Sequence, residues 1–517
     1  MKTSGTRAAL LAAVLVAVVL GAAPAAFAQS YPIPAVAIPG QKGAEPVEPF
    51  IGAAAVAHPV IAPAIPQNPF LLPGPWSSIH NDIYQSDTYP GAGPLGESPV
   101  TSSTWLGTQT DPVALVVGMT FDTAGNIVAA AIVSDLAASQ ATVQLTLIDP
   151  DTLATLAELD MPSETYYPGF RPAGTYFYSD EQDRIIIGTV ERTIWVVSHT
   201  QTADGWTFSH DATYDLTPAI PEGDAIEALA PDFAGHIWVT SKGGVVCTVD
   251  AKTGAILGIS KDLAMLGETI ANGHAVAADN GAFIASQKAM YRFDADQFGR
   301  PCTTWREPYT EGYNVKPGQV ELGTGTTPTL MGTRYVTITD NASPRMHVLV
   351  YLRAKQIKGK RLTASVPVFK AGASCTENSL VCTDRSIIVE NNYGYRSSSQ
   401  DTTQGRTTTP GITRIDLDKK GKGHVVWTNN TVSIPSLISK MSLANGLIYT
   451  YTKPAGPGAT DPWYFTALDF RTGKTAWKQL SGTGQLYDNF YAGAFLGPNG
   501  TLYVGVQGGI SAMRDAQ

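Results

Sequence analysis

The sequence predicts an all-β chain closed into an eight-bladed β-propeller, and three observations predict it. The first is composition. The 517 residues include 50 Gly and 35 Pro, and only 15% are charged, which favours short strands and tight turns over long solvated helices. The second is a weak internal repeat of roughly fifty residues, each unit holding four short apolar strands, as propeller blades do. The third lies at the two ends of the repeat region. FYAGAFLGPNGTLYVGVQGGISAMRD supplies three strands without a fourth, and SPVTSSTWLG around Trp105 offers the missing one. Seven blades is the alternative count, because the unit at 165–216 is irregular.

Residues 1–28 read as a secretory signal peptide. Lys2 and Arg7 precede an apolar run, and Ala26-Phe27-Ala28 is an A-x-A cleavage site. An uncleaved anchor is the alternative, although the apolar core is short for a span. No later stretch is apolar for long enough to cross a bilayer. The mature chain is therefore expected to be exported, to the periplasm, the cell envelope or the medium, without a membrane span. Residues 29–75 are rich in Pro and Ala and lack periodicity, as a linker or an extended arm would. The propeller domain is assigned to 76–517. It opens with SSIHNDIYQSDTYPGAGPLG, which places His80, Asn81, Asp82, Ser86 and Asp87 in a loop-like setting. That stretch is either an ordered loop near a site or a solvated lead-in.

The repeat units begin near Val117, Phe170, Ile226, His274, Thr327, Asn378 and Ser436. LTLIDPDTLATL, VCTVDAKTGAIL, MYRFDADQFGRPCTTW, ITRIDLDKKGKGHVVW and FTALDFRTGKTAW share one plan: an apolar strand ends at Asp, a turn follows, and a second strand leaves. The Asp and Gly turn the hairpin between the third and fourth strands of a unit. The four cysteines fit an oxidising compartment. Cys375 with Cys382 and Cys247 with Cys302 is the expected pairing, one of the three that four cysteines allow. A net charge of −9 without a long basic run excludes nucleic acid as a natural partner. A small-molecule substrate and a monomer are expected.

Topology then directs attention to residues 326–395. In a blade, the start of the first strand and the end of the second lie on the same face. This gathers Glu227, His274, Thr326, Glu377 and Asn378 beside Asp340, Asn341, Glu390, Asn391 and Asn392, with Tyr393 adjoining, at the channel mouth. Clustered carboxylates repel and raise one another's pKa unless a cation separates them. Asp340, Asn341, Glu377, Asn378, Glu390 and Asn391 are thus candidate ligands for calcium, a hard ion that takes oxygen donors. His274 and Glu377 are the candidate catalytic groups. The alternative is structural: Asn and Asp cap turns and tolerate left-handed backbone, and Tyr313, Tyr393 and Tyr395 pack between blades.

LDFRTGKTAW and VDAKTGAI are similar to the repeats of pyrroloquinoline-quinone-type propellers, a resemblance that covers most of the mature chain and implies the fold. Many quinoprotein dehydrogenases of that superfamily carry adjacent cysteines beside the cofactor. No two cysteines are adjacent here, so pyrroloquinoline quinone is not an expected cofactor. The Glu, Asn and Asp set resembles, by residue type, the channel metal ligands of paraoxonase and gluconolactonase-type propellers. That resemblance implies a calcium-dependent hydrolase of a lactone or ester, in which the ion polarises the carbonyl and His274 or a carboxylate activates water. A quinoprotein-like oxidoreductase and a noncatalytic propeller that binds a protein or an envelope glycan are the two other readings.

Overall fold

Eight sheets follow one another around a ring in the computed structural model, which describes residues 46–107, 114–135, 140–165, 173–456, 458 and 460–516. Blades 1 to 7 occupy 114–160, 178–215, 226–260, 275–308, 329–367, 381–429 and 440–483, each antiparallel from the axis to the rim. Blade 8 takes three strands from 494–515 and its outermost strand, Pro99–Trp105, from the other end of the chain. Thr104 lies opposite Ile510 and Trp105 opposite Gly509. The blade count and the closure are those the sequence predicts. An unclosed ring would leave two strand edges open to pairing with another chain. The expected signal peptide lies outside the described residues, as does the expected start of the second unit at Phe170. Among the described residues no helix is long and apolar enough to cross a membrane.

The turn aspartates do mechanical work. Asp149, Asp250, Asp296, Asp418 and Asp469 each accept backbone N–H groups from their own third-to-fourth-strand turn. A short acceptor fixed at this position closes the turn without help from the rest of the blade.

What positions the site is the chain ahead of blade 1. Phe50–Gly52 adds a strand to the rim of blade 7, opposite Trp477–Gln479. The arm then follows that blade inward, with His58 N–H donating to Asn445 O and Val60 N–H to Leu443 O. From Asn68 to Tyr89 it hydrogen-bonds to the inner strand of every blade. Trp76 serves blades 1 and 8, Ser77 blade 2, Asn68 blade 3 and Ile83 blade 4. Tyr84 serves blade 5, Ser86 blade 6, and Asp87 and Tyr89 blade 7, where Thr88–Tyr89 runs parallel to Lys440–Ser442. Residues 76–89 therefore fill the central channel as a plug. Asn81, Gln85 and Asp87 have φ values of 73°, 57° and 57°. Such left-handed residues, a habit of Asn and Asp, let the plug coil inside so narrow a ring.

The cysteine pairing is corrected: all four thiols are free. Asn392 N–H donates to Cys375 O, whereas Cys382 pairs with Ile387, so Cys375 and Cys382 sit at opposite ends of one hairpin arm. Cys247 is buried in blade 3, and Cys302 is exposed on the outer strand of blade 4. Burial pushes the Cys247 thiol up to about 12 and raises those of Cys375 and Cys382 further. Because thiolate is the reactive form, iodoacetamide should modify Cys302 alone in the native protein. Without reductant, all four should react in denaturant; peptide mapping that found only two would restore a disulfide.

Candidate functional site

At the axis the plug carries a charged network. Asp87 lies 3.0 Å from His80 Nδ1 and is ion-paired with Lys440 from the first strand of blade 7. Lys440 Nζ also donates to Ile79 O at 2.7 Å and to Asn81 Oδ1 at 3.0 Å. His80, Asp87 and Lys440 are fully buried. Burial opposes ionisation of Asp87, but His80 and then Lys440 outweigh it and hold the carboxyl below its usual range. Burial also pulls the Lys440 ammonium down, against the pull of Asp87.

Ser379 Oγ stands 3.4 Å from His80 Nε2, completing a serine, imidazole, carboxylate order like that of an acyl-transfer site. Here the arrangement reads as a lock. Its imidazole and carboxylate are sealed from solvent, Lys440 already occupies Asp87, and the Ser379 hydroxyl accepts the Thr327 N–H at 3.1 Å.

The residues expected at the channel mouth meet mainly across the boundary of blades 5 and 6. Asn341 holds the Thr376 backbone at both ends, at 2.8 and 3.0 Å. Asn392 Oδ1 accepts the Thr376 hydroxyl and the Glu377 N–H, and Asn391 bridges Cys375 N–H and Ala373 O. Asn378 Nδ2 donates to Glu390 Oε1 at 2.7 Å, and Ser439 donates to Oε2. Burial pushes Glu390 up to about 8, so it is a neutral acid at pH 7, against the hydrogen bonds from Ser439 and Asn378.

Asp340 belongs to its own hairpin, bound to His347 Nδ1 at 2.8 Å and to two N–H groups. Thr326 accepts the Thr339 N–H, and Glu227 occupies a bulge between Ile226 and Ala228. Tyr393 is half-buried and Tyr313 exposed, while Tyr395 is buried and donates to Asp488 at 2.8 Å.

Among the described residues no three His, Cys, Asp or Glu side chains come close enough to hold one ion. Asp340 and Glu390 each accept hydrogen bonds from protein donors. His274 lies on blade 4, beside Tyr176, Leu229 and the plug's Gln85. Burial pulls its imidazole down to about 4, with the Trp238 backbone opposing, which makes it a weak base.

An apolar opening lies on the other face, where first strands turn into second strands. A cavity of about 400 Å³ lies between the arm, the plug and the turns of blades 5 to 7, lined by Ile65, Leu71, Asp82, Leu330, Thr383 and Leu443 among others. Asp82 accepts the Tyr84 N–H at 2.8 Å and the Ser86 hydroxyl at 2.5 Å. Burial pushes its carboxyl up to about 7, against the Ser86 hydrogen bond. Sequence reasoning noticed His80, Asp82 and Asp87 without assigning them a role, and missed Lys440, Ser379 and Ser77. The available signal was a lysine inside the inner strand KMS.

No family model matches the chain. An uncharacterised protein of Archaeoglobus fulgidus is 28% identical over 329 residues, 58% of this chain, and the match spans 63% of that relative's length. Among solved structures, a europium-containing methanol dehydrogenase is similar with a TM-score of 0.51 at 11% identity, over 84% of this chain and 89% of that one. BamB from Moraxella catarrhalis matches with a TM-score of 0.44 at 10% identity, over 78% and 94% of the two chains. The quinohemoprotein alcohol dehydrogenase from Comamonas testosteroni gives 0.48 at 10% identity, over 86% and 81%. Identities this low speak to architecture alone. The chain is an eight-bladed β-propeller, similar in fold to the europium-containing methanol dehydrogenase.

Proposed function

We propose that this chain is an exported propeller that binds a small molecule in the arm-covered cavity, its ring serving as a rigid frame. The observation that carries the reading is the pairing of a filled axis with an open cavity. Residues 76–89 occupy the channel, while about 400 Å³ stays free beneath the arm. Concave, largely apolar sites with a few polar groups are where small ligands bind. The neutral fluorophore N-phenyl-1-naphthylamine should bind with one site per chain. Leu443→Trp, which fills the cavity, should abolish that binding, and Glu377→Gln on the opposite face should leave it unchanged. Binding that survives Leu443→Trp would end this reading.

The fold favours a second reading, a quinoprotein-type oxidoreductase, through its likeness to the europium-containing methanol dehydrogenase. Dye-linked methanol oxidation after incubation with pyrroloquinoline quinone and calcium or europium would support this second reading. Calcium-dependent hydrolysis of a lactone or ester finds no support in the side chains at the channel mouth. A calcium titration lost in Glu377→Gln would reinstate it.

A further inference from the structure

We infer that the arm-covered cavity takes a small amphiphilic amine, its ammonium held by Asp82 and its apolar body by the arm and the inner strand ends of blades 5 to 7. The inference rests on the proposal that this cavity is the ligand site, and adds the charge and shape of the occupant.

The lining sets the charge. It contains Asp82 and Asp384 but no lysine, arginine or histidine. An anionic ligand would meet two carboxylates and no counter-charge, whereas a cation favours the ionised carboxyl. The cations close to this wall are already engaged: Lys440 of blade 7 is paired with Asp87, and Arg353, stacked on the Tyr84 ring, donates to Thr333 O. Asp82 has no ion-pair partner among the described residues and receives hydrogen bonds only from the plug's own Tyr84 and Ser86.

A second polar atom waits in the same wall. Ser77 is 1% exposed, lines the cavity, and its hydroxyl has no hydrogen-bond partner among the described residues. A buried polar atom left so carries a desolvation cost that a ligand N–H would relieve. Around these two groups Ile65, Leu71, Leu330 and Leu443 leave an apolar surround, so the remainder of the ligand is hydrocarbon.

The cover also fits an entry route. Val60 is tied to Leu443 O and Asn68 to Pro231 O. Between them residues 61–66 make no backbone–backbone hydrogen bond among the described residues, and Pro63 and Pro66 have no N–H to give. Lifting this strap breaks no ladder, and Ile61 is already 98% exposed.

Isothermal titration at pH 8 of the full chain with 1-octylamine, 1-octanol and octanoate tests the inference. Octylamine should bind with one site per chain, about tenfold or more tighter than octanol, and octanoate should not bind. Asp82→Asn, nearly isosteric, should lower octylamine to the affinity of octanol and leave octanol unchanged. Equal affinity for amine and alcohol, or an amine affinity untouched by Asp82→Asn, would overturn the assignment of charge while the cavity reading stood. If neither octanol nor N-phenyl-1-naphthylamine binds, the cavity reading itself falls.

Discussion

Asp87→Asn is expected to destabilise the folded chain by about 3–5 kcal/mol, the usual cost of removing one partner from a buried ion pair. The substitution keeps the shape and strands the Lys440 ammonium, whose remaining acceptors are Ile79 O and Asn81 Oδ1. Urea denaturation followed by tryptophan fluorescence measures the loss. Replacing both residues, as Asp87→Asn with Lys440→Met, should recover more than half of it, because the uncompensated charge is then gone. A loss below about 1 kcal/mol in the single variant would mean that the network does not hold the plug. The comparison also separates a lock from a catalytic relay, because catalysis does not require recovery in the double variant.

Stability should fall as pH rises from about 5 to about 9. Glu390 has its pKa raised to about 8 in the folded chain. Between the unfolded value and about 8 the native state keeps a proton that the unfolded state has released. The contribution is complete below the unfolded pKa and lost as pH climbs through the folded one. A rise of this size converts to about 3–5 kcal/mol at most. Asp82, pushed up to about 7, and Asp488, pushed up to about 6, act in the same direction. Asp87, held low, acts only at the acid end, while His274, pulled down to about 4, opposes the fall up to its unfolded value and is outweighed by the three raised carboxyls. Glu390→Gln mimics the neutral acid, so its stability profile should be flatter across this window by about the Glu390 share. Parallel profiles for wild type and Glu390→Gln would show that Glu390 is ionised at neutral pH.

The fold was legible because the repeat is written in local chemistry. Each turn aspartate and its following Gly or Thr solve a local problem, so Asp250 and Asp469 announce their hairpins wherever the blades sit. Closure was legible as a missing strand, since an antiparallel sheet edge demands a partner. The site was not, for two physical reasons. Asn341, Asn378, Asn391 and Asn392 are the residues a metal site would use and also those that satisfy backbone groups between blades; only geometry distinguishes the two uses. The plug, in turn, is irregular chain. SSIHNDIYQSDTY has no period, and its partner Lys440 lies 353 residues away, beyond the reach of any local pattern.

The plug has a consequence for the order in which the molecule forms. It belongs to the part of the chain synthesised before any blade, yet its hydrogen bonds reach residues up to 420 positions later, from Trp76 to Leu496. Contacts so remote in sequence form slowly, because their loop-closure entropy is spent before they return anything. The stretch made first is therefore the stretch seated last. Pro99–Trp105, the outer strand that closes blade 8, follows it a few residues along the chain. Seating the plug and closing the ring therefore both depend on contacts between the first and last parts of the chain.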